Sequence, residues 1–254
     1  MQLNYRLRTL KTIYKKTPVI LIHGLFGDLN NLRIIAESLA QHCYVVQVDL
    51  RNHGRSPHEQ SMTYSIMAKD ILDLLEQLSI KKCIIIGHSM GGKVAMKLCM
   101  LAPQRISKVI VIDIAPVKYN AHSHDDIFRA IEYINNSGVK SRDEAVRLMQ
   151  QCSIDRTLIL FLLKSFRKGS WIFNFSSIKN NYIYINDWDT YQTWWGPALF
   201  IKGALSSYLD DCYLHDIYHQ FPQAYIQKIP NAGHWVHWDN SIHVLNIIHK
   251  FIIY

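Results

Sequence analysis

Short runs of apolar residues alternate with amphipathic segments along most of the chain. The runs VILI (19–22), CIIIG (83–87) and KVIVIDIA (108–115) have the length of buried strands. Residues 30–40 and 65–78 repeat apolar side chains three and four positions apart, as helices that cover a sheet do. Continuous apolar strands that alternate with such helices are typical of a parallel sheet covered on both faces. The pattern therefore predicts an α/β protein with a mostly parallel central sheet flanked by helices.

This alternation stops between residues 117 and 195. The segment contains amphipathic helices and an aromatic-rich stretch, with no buried strand between them, and the earlier pattern resumes with the strand PALFIKG. Two short alternating segments before the first buried strand, LNYRL and TIY, predict an antiparallel edge hairpin. We therefore expect a core domain of residues 1–116 and 196–254, with a helical cap at 117–195 inserted before the seventh strand.

A serine between two glycines stands where the apolar run CIIIG passes into a helix. Residues Gly87, His88, Ser89, Met90 and Gly91 fit the pattern G-x-S-x-G. In this context the pattern indicates a strained strand-to-helix turn, because glycines on both flanks let the strand and the helix approach closely. Such a turn lifts the hydroxyl to the carboxyl ends of the strands, where open parallel sheets bind ligands. We predict that Ser89 is a nucleophile and that His88 only packs.

Attack by a serine on a carbonyl group requires donors for the oxyanion that forms. One predicted donor is the backbone N–H of Met90, just after the nucleophile. The other is the N–H of Leu25, in the loop HGLFG after the first apolar strand. The base is expected after the last strand, because the histidine follows the serine and the acid in hydrolases with this turn. His234 in IPNAGHWVHW fits this position, and His237 is the alternative.

The composition of the chain changes this interpretation little. With 254 residues, of which 49% are hydrophobic and 19% charged, the chain can form a sizeable core. The net charge of +8 comes from scattered lysines and arginines, a distribution that does not favour nucleic-acid binding. The five cysteines include no C-x-x-C pair, and the sequence shows no signal peptide or membrane span. We therefore expect reduced thiols and a cytoplasmic protein.

Two pairs of histidines invite a metal-binding interpretation. His122 and His124 stand beside two aspartates, and His215 and His219 are four residues apart. Neither pair belongs to a complete ligand set, so solvated helix faces explain them better. We expect a small-molecule substrate and neither a metal nor an organic cofactor. A monomer and a homodimer are both compatible with the sequence.

Five segments occur in order along the chain, namely HGLFGDLNNL, DLRNHGRSPH, GHSMGGK, VIDIAP and AGHWVHW. Over essentially the whole chain they resemble the α/β-hydrolase superfamily and, within it, the YbfF-type bacterial esterases. The resemblance implies a serine hydrolase that cleaves carboxylic esters and acyl-CoA thioesters. It also implies that Asp49, Arg51 and Gly54 are structural residues.

The acid that orients the histidine is not fixed by the sequence. In most relatives it lies three residues after the glycine that ends the next-to-last strand, here Gly203, and that position holds Ser206. A neutral hydroxyl can fix the tautomer of the histidine, but it cannot stabilise an imidazolium as a carboxylate does. Asp113, at the end of VIVID, is the favoured alternative, alone or together with Ser206. The aspartates at 210 and 211 come third.

Two other functions are compatible with the same residues. The scaffold also carries C–C hydrolase and lyase chemistry, because a fold does not fix a reaction. The missing acid after Gly203 is compatible with a ligand-binding protein that has lost catalysis.

Overall fold

The fold is built on one sheet whose strands run mostly parallel. The computed structural model describes residues 1–9, 17–120, 122, 124–189 and 192–253. Within these residues the strands are β1 Tyr5–Arg8, β2 Val19–Ile22, β3 Val45–Val48, β4 Cys83–His88, β5 Ile106–Ile112, β6 Phe166–Arg167, β7 Ser170–Trp171, β8 Ala198–Gly203 and β9 Ala224–Ile229. Seven of these described strands form the main sheet, in the order β1-β3-β2-β4-β5-β8-β9. The predicted α/β sheet is confirmed.

The main sheet has one antiparallel edge. Strand β1 pairs with β3 in the antiparallel sense, whereas the pairs from β3 through β2, β4, β5 and β8 to β9 are parallel. The segment TIY, which we expected to pair at this edge, lies outside the described residues. The carboxyl ends of the parallel strands therefore all lie on the same side of the sheet, where a site is expected.

Helices cover both faces of this sheet. Their bounds are α1 Arg33–Leu39, α2 Tyr64–Gln77, α3 Met90–Leu101, α4 Asp125–Ser137, α5 Arg142–Met149, α6 Arg156–Leu162, α7 Phe175–Asn180, α8 Tyr182–Asn186, α9 Leu214–Gln220, α10 Val236–Asp239 and α11 Ser241–Ile253. Over the described part of the chain, none of them combines the length and the apolar character needed to cross a membrane.

The core lies in two layers, one on each face of the sheet. Successive residues of β2 point to opposite faces, so that Val19 and Leu21 join one buried cluster while Ile20 and Ile22 join the other. Helices α1 and α11 cover the first cluster, and α2 and α3 cover the second. Burial on both sides explains why the strands appear in the sequence as continuous apolar runs.

Between β5 and β8 the chain leaves the sheet and forms α4 to α8 together with the hairpin of β6 and β7. Polar contacts fasten this segment to the loop after β3. The N–H of Asn174 donates to the carbonyl of Asn52 over 2.8 Å, and the hydroxyl of Ser177 donates to the carbonyl of Glu59 over 2.6 Å. The strands of this hairpin have two residues each, which is too short for the alternation of apolar and polar residues from which a strand is predicted. The division of the chain at 117 and 195 stays a prediction.

The residues that the resemblance assigns to structure take part in buried polar contacts. Arg51 forms a bidentate ion pair with Asp70, with nitrogen–oxygen distances of 2.6 and 2.8 Å. Asp49 accepts hydrogen bonds from the N–H groups of Leu29 and Arg55 at 2.7 and 2.9 Å. These contacts hold the loop between β3 and α2 against the rest of the core.

We expect that Asp70→Asn lowers the free energy of unfolding by about 3 kcal/mol, because it leaves the Arg51 guanidinium buried without its counter-charge. Urea unfolding monitored by circular dichroism measures the loss. Glu37→Gln is the matched control, because Glu37 is exposed and pairs with Arg33 on α1 and with Arg8 on β1, and the loss of such surface pairs should cost less than about 1 kcal/mol. Equal stability of the two variants would contradict the expectation.

Candidate active site

Ser89 lies at the sharp turn between β4 and α3. Its backbone has φ 52° and ψ −123°, a conformation that L-residues rarely adopt. Its N–H donates to the carbonyl of Ile112 at the end of β5 over 2.9 Å. A side chain at Gly87 could not be accommodated, because its Cβ would lie 2.1 Å from the carbonyl oxygen of Gly91. The two glycines therefore let the helix start directly against the strand, as predicted.

Ser89 and His234 line the same cavity, which has a volume of about 420 Å³. Its walls are largely apolar and come from the loop after β2, from the segment between β5 and β8, and from the loops after β8 and β9. The apolar lining residues are Leu25, Phe26, Ile127, Ile154, Leu158, Phe161 and Trp235. The exposed carboxylates of Asp126 and Asp155 also line it, and no lysine or arginine among the described residues does.

The imidazole of His234 is held at one edge by Asp113. The distance from Nδ1 to Oδ2 of Asp113 is 2.8 Å, and the carboxylate is fully buried while the His234 side chain is 19% exposed. Because a carboxylate only accepts hydrogen bonds, Nδ1 carries the proton and Nε2 of the neutral ring is free to accept one. Ser206 donates its hydroxyl hydrogen bond to the same carboxylate oxygen. The structure thus brings the three residues together, with Ser206 and His234 both in contact with the carboxylate of Asp113.

Asp113, Ser206 and His234 follow the ends of β5, β8 and β9, respectively. Asp113 follows β5 with φ 54°, and its N–H donates to Ile201 of β8 over 2.9 Å. Its Oδ1 accepts the N–H of Gly203, at the end of β8, over 2.9 Å. A Cβ at Gly203 would lie 2.1 Å from the carbonyl oxygen of Gly233. Glycine at 203 therefore allows the loop that carries His234 to approach the loop that carries Ser206.

The two predicted oxyanion donors lie beside the serine. Leu25, Ser89 and Met90 line a small inner chamber of about 30 Å³, which adjoins the larger cavity because Leu25 and Ser89 line both. Met90 is the first residue of α3, so its N–H has no acceptor within the helix. The positive end of the helix dipole adds to the attraction of this position for negative charge.

His88 braces the loop that carries His234. Its Nε2 donates to the carbonyl of His234 over 2.8 Å, and its ring centroid lies 4.8 Å from that of the His234 imidazole. Burial, and then the neighbouring histidines, hold the pKa of His88 well below 6.5. His237 is buried, with its ring 4.9 Å from that of His88. The structure therefore gives His88 a packing position, as expected, and places His237 in the buried layer beside it.

Two residues at the site were not anticipated from the sequence. His124, which we expected on a solvated helix start, lines both the cavity and the inner chamber. Burial lowers its pKa to about 4. Its ring nitrogens form hydrogen bonds with the hydroxyls of Tyr182 and Tyr208. The second residue is Tyr208, which follows Ser206 by two positions. Its closeness in sequence to the expected acid position is the feature from which its place at the site could have been predicted.

A lysine is buried beside the inner chamber. Lys93, in the first turns of α3, donates to the carbonyls of Asn186 and Asp187 at 3.4 and 3.1 Å. Its ammonium group lies 4.7 Å from the ring centroid of Tyr119. Burial lowers the pKa of Lys93 to about 7. The contact ties the helix behind Ser89 to the segment between β5 and β8.

The remaining candidates lie elsewhere. Asp210 caps a short helical turn, and Asp211 pairs with Lys202 over 2.8 Å. His122 pairs with Asp125 on the surface. Within the described ranges, no group of three or more histidine, cysteine, aspartate or glutamate side chains is arranged to hold a metal ion.

Comparison with known proteins gives the family. The profile of the α/β-hydrolase fold family matches residues 17–146. Esterase YbfF of Escherichia coli (strain K12) is 43% identical over 252 residues, which cover 99% of each chain. This chain belongs to the α/β-hydrolase family. Within the family, the sn-1-specific diacylglycerol lipase ABHD11 of Danio rerio is 36% identical over 93% of this chain and 78% of its own length.

A solved structure agrees with this assignment to the α/β hydrolases. The structure of a marine microorganism esterase is 35% identical, covers 98% of this chain and 99% of its own, and superposes with a TM-score of 0.92. The resemblance to YbfF-type esterases that the five segments predicted is thus confirmed. The relatives place the chain among α/β hydrolases of the esterase and lipase type.

We expect the protein to lose stability as the pH falls below 6.5, because buried histidines near the site must stay neutral. Burial lowers the pKa of His53 and His237 to about 3 and that of His124 to about 4. In the unfolded chain each of these histidines takes up a proton near pH 6.5, whereas in the folded protein it stays neutral down to its lowered pKa. Their contribution to the free energy of unfolding is therefore complete above pH 6.5 and is lost as the pH falls from 6.5 towards the folded pKa values. Each of these histidines should lower the free energy of unfolding by about 1.5 kcal/mol between pH 6.5 and pH 5.

Urea unfolding at about pH 7 and about pH 5 measures this loss. His53→Gln should lose less stability on acidification than the unsubstituted protein, by about 2 kcal/mol over this wider pH interval. His215→Gln, on the exposed face of α9, is the control and should leave the difference unchanged. A free energy of unfolding that is the same at both pH values would show that these rings protonate in the folded state.

Proposed function

We propose that this α/β hydrolase is a serine esterase that works through an acyl-serine intermediate. The observation that carries the proposal is the hydrogen bond between His234 and the buried carboxylate of Asp113, in a cavity that also contains Ser89 at a strained turn. A nucleophile, a base and an orienting acid at one cavity are the arrangement that acyl transfer requires.

In the proposed reaction His234 accepts the proton of the Ser89 hydroxyl through Nε2 while the serine oxygen attacks the ester carbonyl. The N–H groups of Leu25 and Met90 donate to the oxyanion of the tetrahedral intermediate. The imidazolium then protonates the leaving alcohol, and an acyl-serine remains. Water, deprotonated by the same imidazole, attacks the acyl group. The imidazolium then returns this proton to the Ser89 oxygen as the bond to the acyl group breaks, so that the acid leaves and both the serine and the neutral imidazole are restored. Asp113 stabilises the imidazolium in both steps, and Ser206 holds Asp113.

The cavity favours an uncharged ester with an apolar acyl part. Its apolar walls suit an acyl chain, and its only charged lining groups among the described residues are the carboxylates of Asp126 and Asp155. The names of the relatives, an esterase and a diacylglycerol lipase, agree with such a substrate. The same acyl-serine route would cleave an acyl-CoA thioester, but the lining carboxylates disfavour its phosphates electrostatically, Asp155 more than Asp126, which pairs with Arg129.

A fluorophosphonate probe followed by peptide mass mapping tests the nucleophile. We expect the adduct on Ser89, no labelling of Ser89→Ala, and labelling slowed by at least about a hundredfold in His234→Ala, because the base is lost. Purified protein is then offered p-nitrophenyl esters and acyl-CoAs with the same acyl chains, and the neutral esters should be cleaved with the higher kcat/KM. No labelling and no hydrolysis would favour a ligand-binding protein, and labelling without ester hydrolysis would favour C–C hydrolase or lyase chemistry.

We further expect Asp113→Asn to lower kcat by about a thousandfold or more, since only a carboxylate compensates the imidazolium. Ser206→Ala should lower kcat by about tenfold or less, because its hydroxyl acts on Asp113 and not on the imidazole. Steady-state hydrolysis of a p-nitrophenyl ester measures both. Wild-type activity in Asp113→Asn would remove Asp113 from the mechanism, and a larger loss in Ser206→Ala would exchange the two roles.

A further inference from the structure

The imidazole of His234 has an aromatic ring stacked on one face. The centroid of the Tyr208 ring lies 4.1 Å from that of His234, and the planes are inclined by 31°. Tyr208 lies in the loop after β8, two residues beyond Ser206, and lines both the cavity and the inner chamber. An aromatic face carries partial negative charge and attracts a cation placed over it. The stack therefore favours the protonated form of the imidazole.

Tyr208 is held at its backbone N–H, at its backbone carbonyl and at its side-chain hydroxyl. Its N–H donates to the hydroxyl oxygen of Ser206 over 3.2 Å. Its carbonyl accepts a hydrogen bond from the hydroxyl of Tyr119. Its own hydroxyl lies 3.4 Å from Nε2 of His124. With its backbone held at both the N–H and the carbonyl, and its hydroxyl near His124, Tyr208 keeps its ring against His234 with little loss of conformational freedom when the imidazole becomes charged.

Few other groups around His234 can compensate a positive charge. Asp113 is the carboxylate in contact with it. His88 approaches from β4, His124 from the segment between β5 and β8, and His237 from α10. Burial keeps the pKa of each of these three histidines below 6.5, so they are neutral at neutral pH. The ring of Tyr208, with its centroid 4.1 Å away, is thus the closer aromatic contact for an imidazolium held by Asp113, since the ring of Trp235 lies at 5.9 Å and is inclined by 66°.

We propose that Tyr208 is a positioning residue that holds His234 by stacking and stabilises its imidazolium during proton transfer. The ring face is the active part, and the hydroxyl serves to anchor it. This inference rests on the proposed function for its effect on rate, but the effect of the stack on proton binding to His234 does not depend on any hydrolysis.

The test compares Tyr208→Phe, which keeps the face, with Tyr208→Leu, which removes it. With a p-nitrophenyl ester, Tyr208→Phe should stay within about threefold of wild type, since it loses one long hydrogen bond. Tyr208→Leu should lose about tenfold in kcat, and the acidic limb of its kcat/KM profile should move to lower pH by about half a unit, as the loss of a cation–π contact predicts. Loss of packing alone would lower kcat without moving that limb.

A titration of the His234 ring followed by NMR gives a measurement independent of hydrolysis. The midpoint should move to lower pH in Tyr208→Leu and stay in place in Tyr208→Phe. Tyr225→Leu, at an exposed position on β9, is the matched control and should change neither rate nor midpoint. An unchanged midpoint in Tyr208→Leu, or an equal shift in Tyr208→Phe, would overturn the inference. Absent hydrolysis with the expected shifts would instead reject the proposed function alone.

Discussion

The site depends on backbone hydrogen bonds that extend the parallel ladder one residue beyond the ends of two strands. Ser89 donates to Ile112, and Asp113 donates to Ile201, each over 2.9 Å. Both donors have positive φ, of 52° and 54°, which costs on the order of 1–3 kcal/mol for a residue with a side chain. The neighbouring strands hold both residues in these conformations. Strain and sheet together fix the two side chains that the proposed chemistry needs on adjacent strands.

The carboxylate that contacts the imidazole of His234 is buried. Asp113 is fully buried, and its oxygens accept hydrogen bonds from Gly203, Ser206 and His234. These three donors replace the water that the buried carboxylate has lost. The neighbouring imidazole of His88 is kept neutral by burial, which holds its pKa well below 6.5. The imidazole of His234 therefore lies between one buried carboxylate and one neutral ring.

The sequence was informative where chemistry and backbone geometry require particular residues in a particular order. The elbow around Ser89 and the position of His234 could be predicted because glycine spacing and chain order carry the information. The sequence favoured Asp113 over Ser206 as the acid but left both open, because both positions stand at strand ends that only the sheet order brings together. His124 was misplaced on a solvated face for the same reason. Its burial depends on Tyr182, which is distant in the sequence and belongs to another helix.

The hydroxyl of Tyr119 links parts of the molecule that are far apart in the chain. It accepts the N–H of Ala115, two residues after Asp113, over 2.9 Å, and it donates to the carbonyl of Tyr208. Tyr119 itself belongs to the segment between β5 and β8, which contributes to the cavity wall. Replacing that segment in order to reshape the cavity would also remove a hydrogen bond that holds the loop after β8. A replacement segment must bring an equivalent hydroxyl with it.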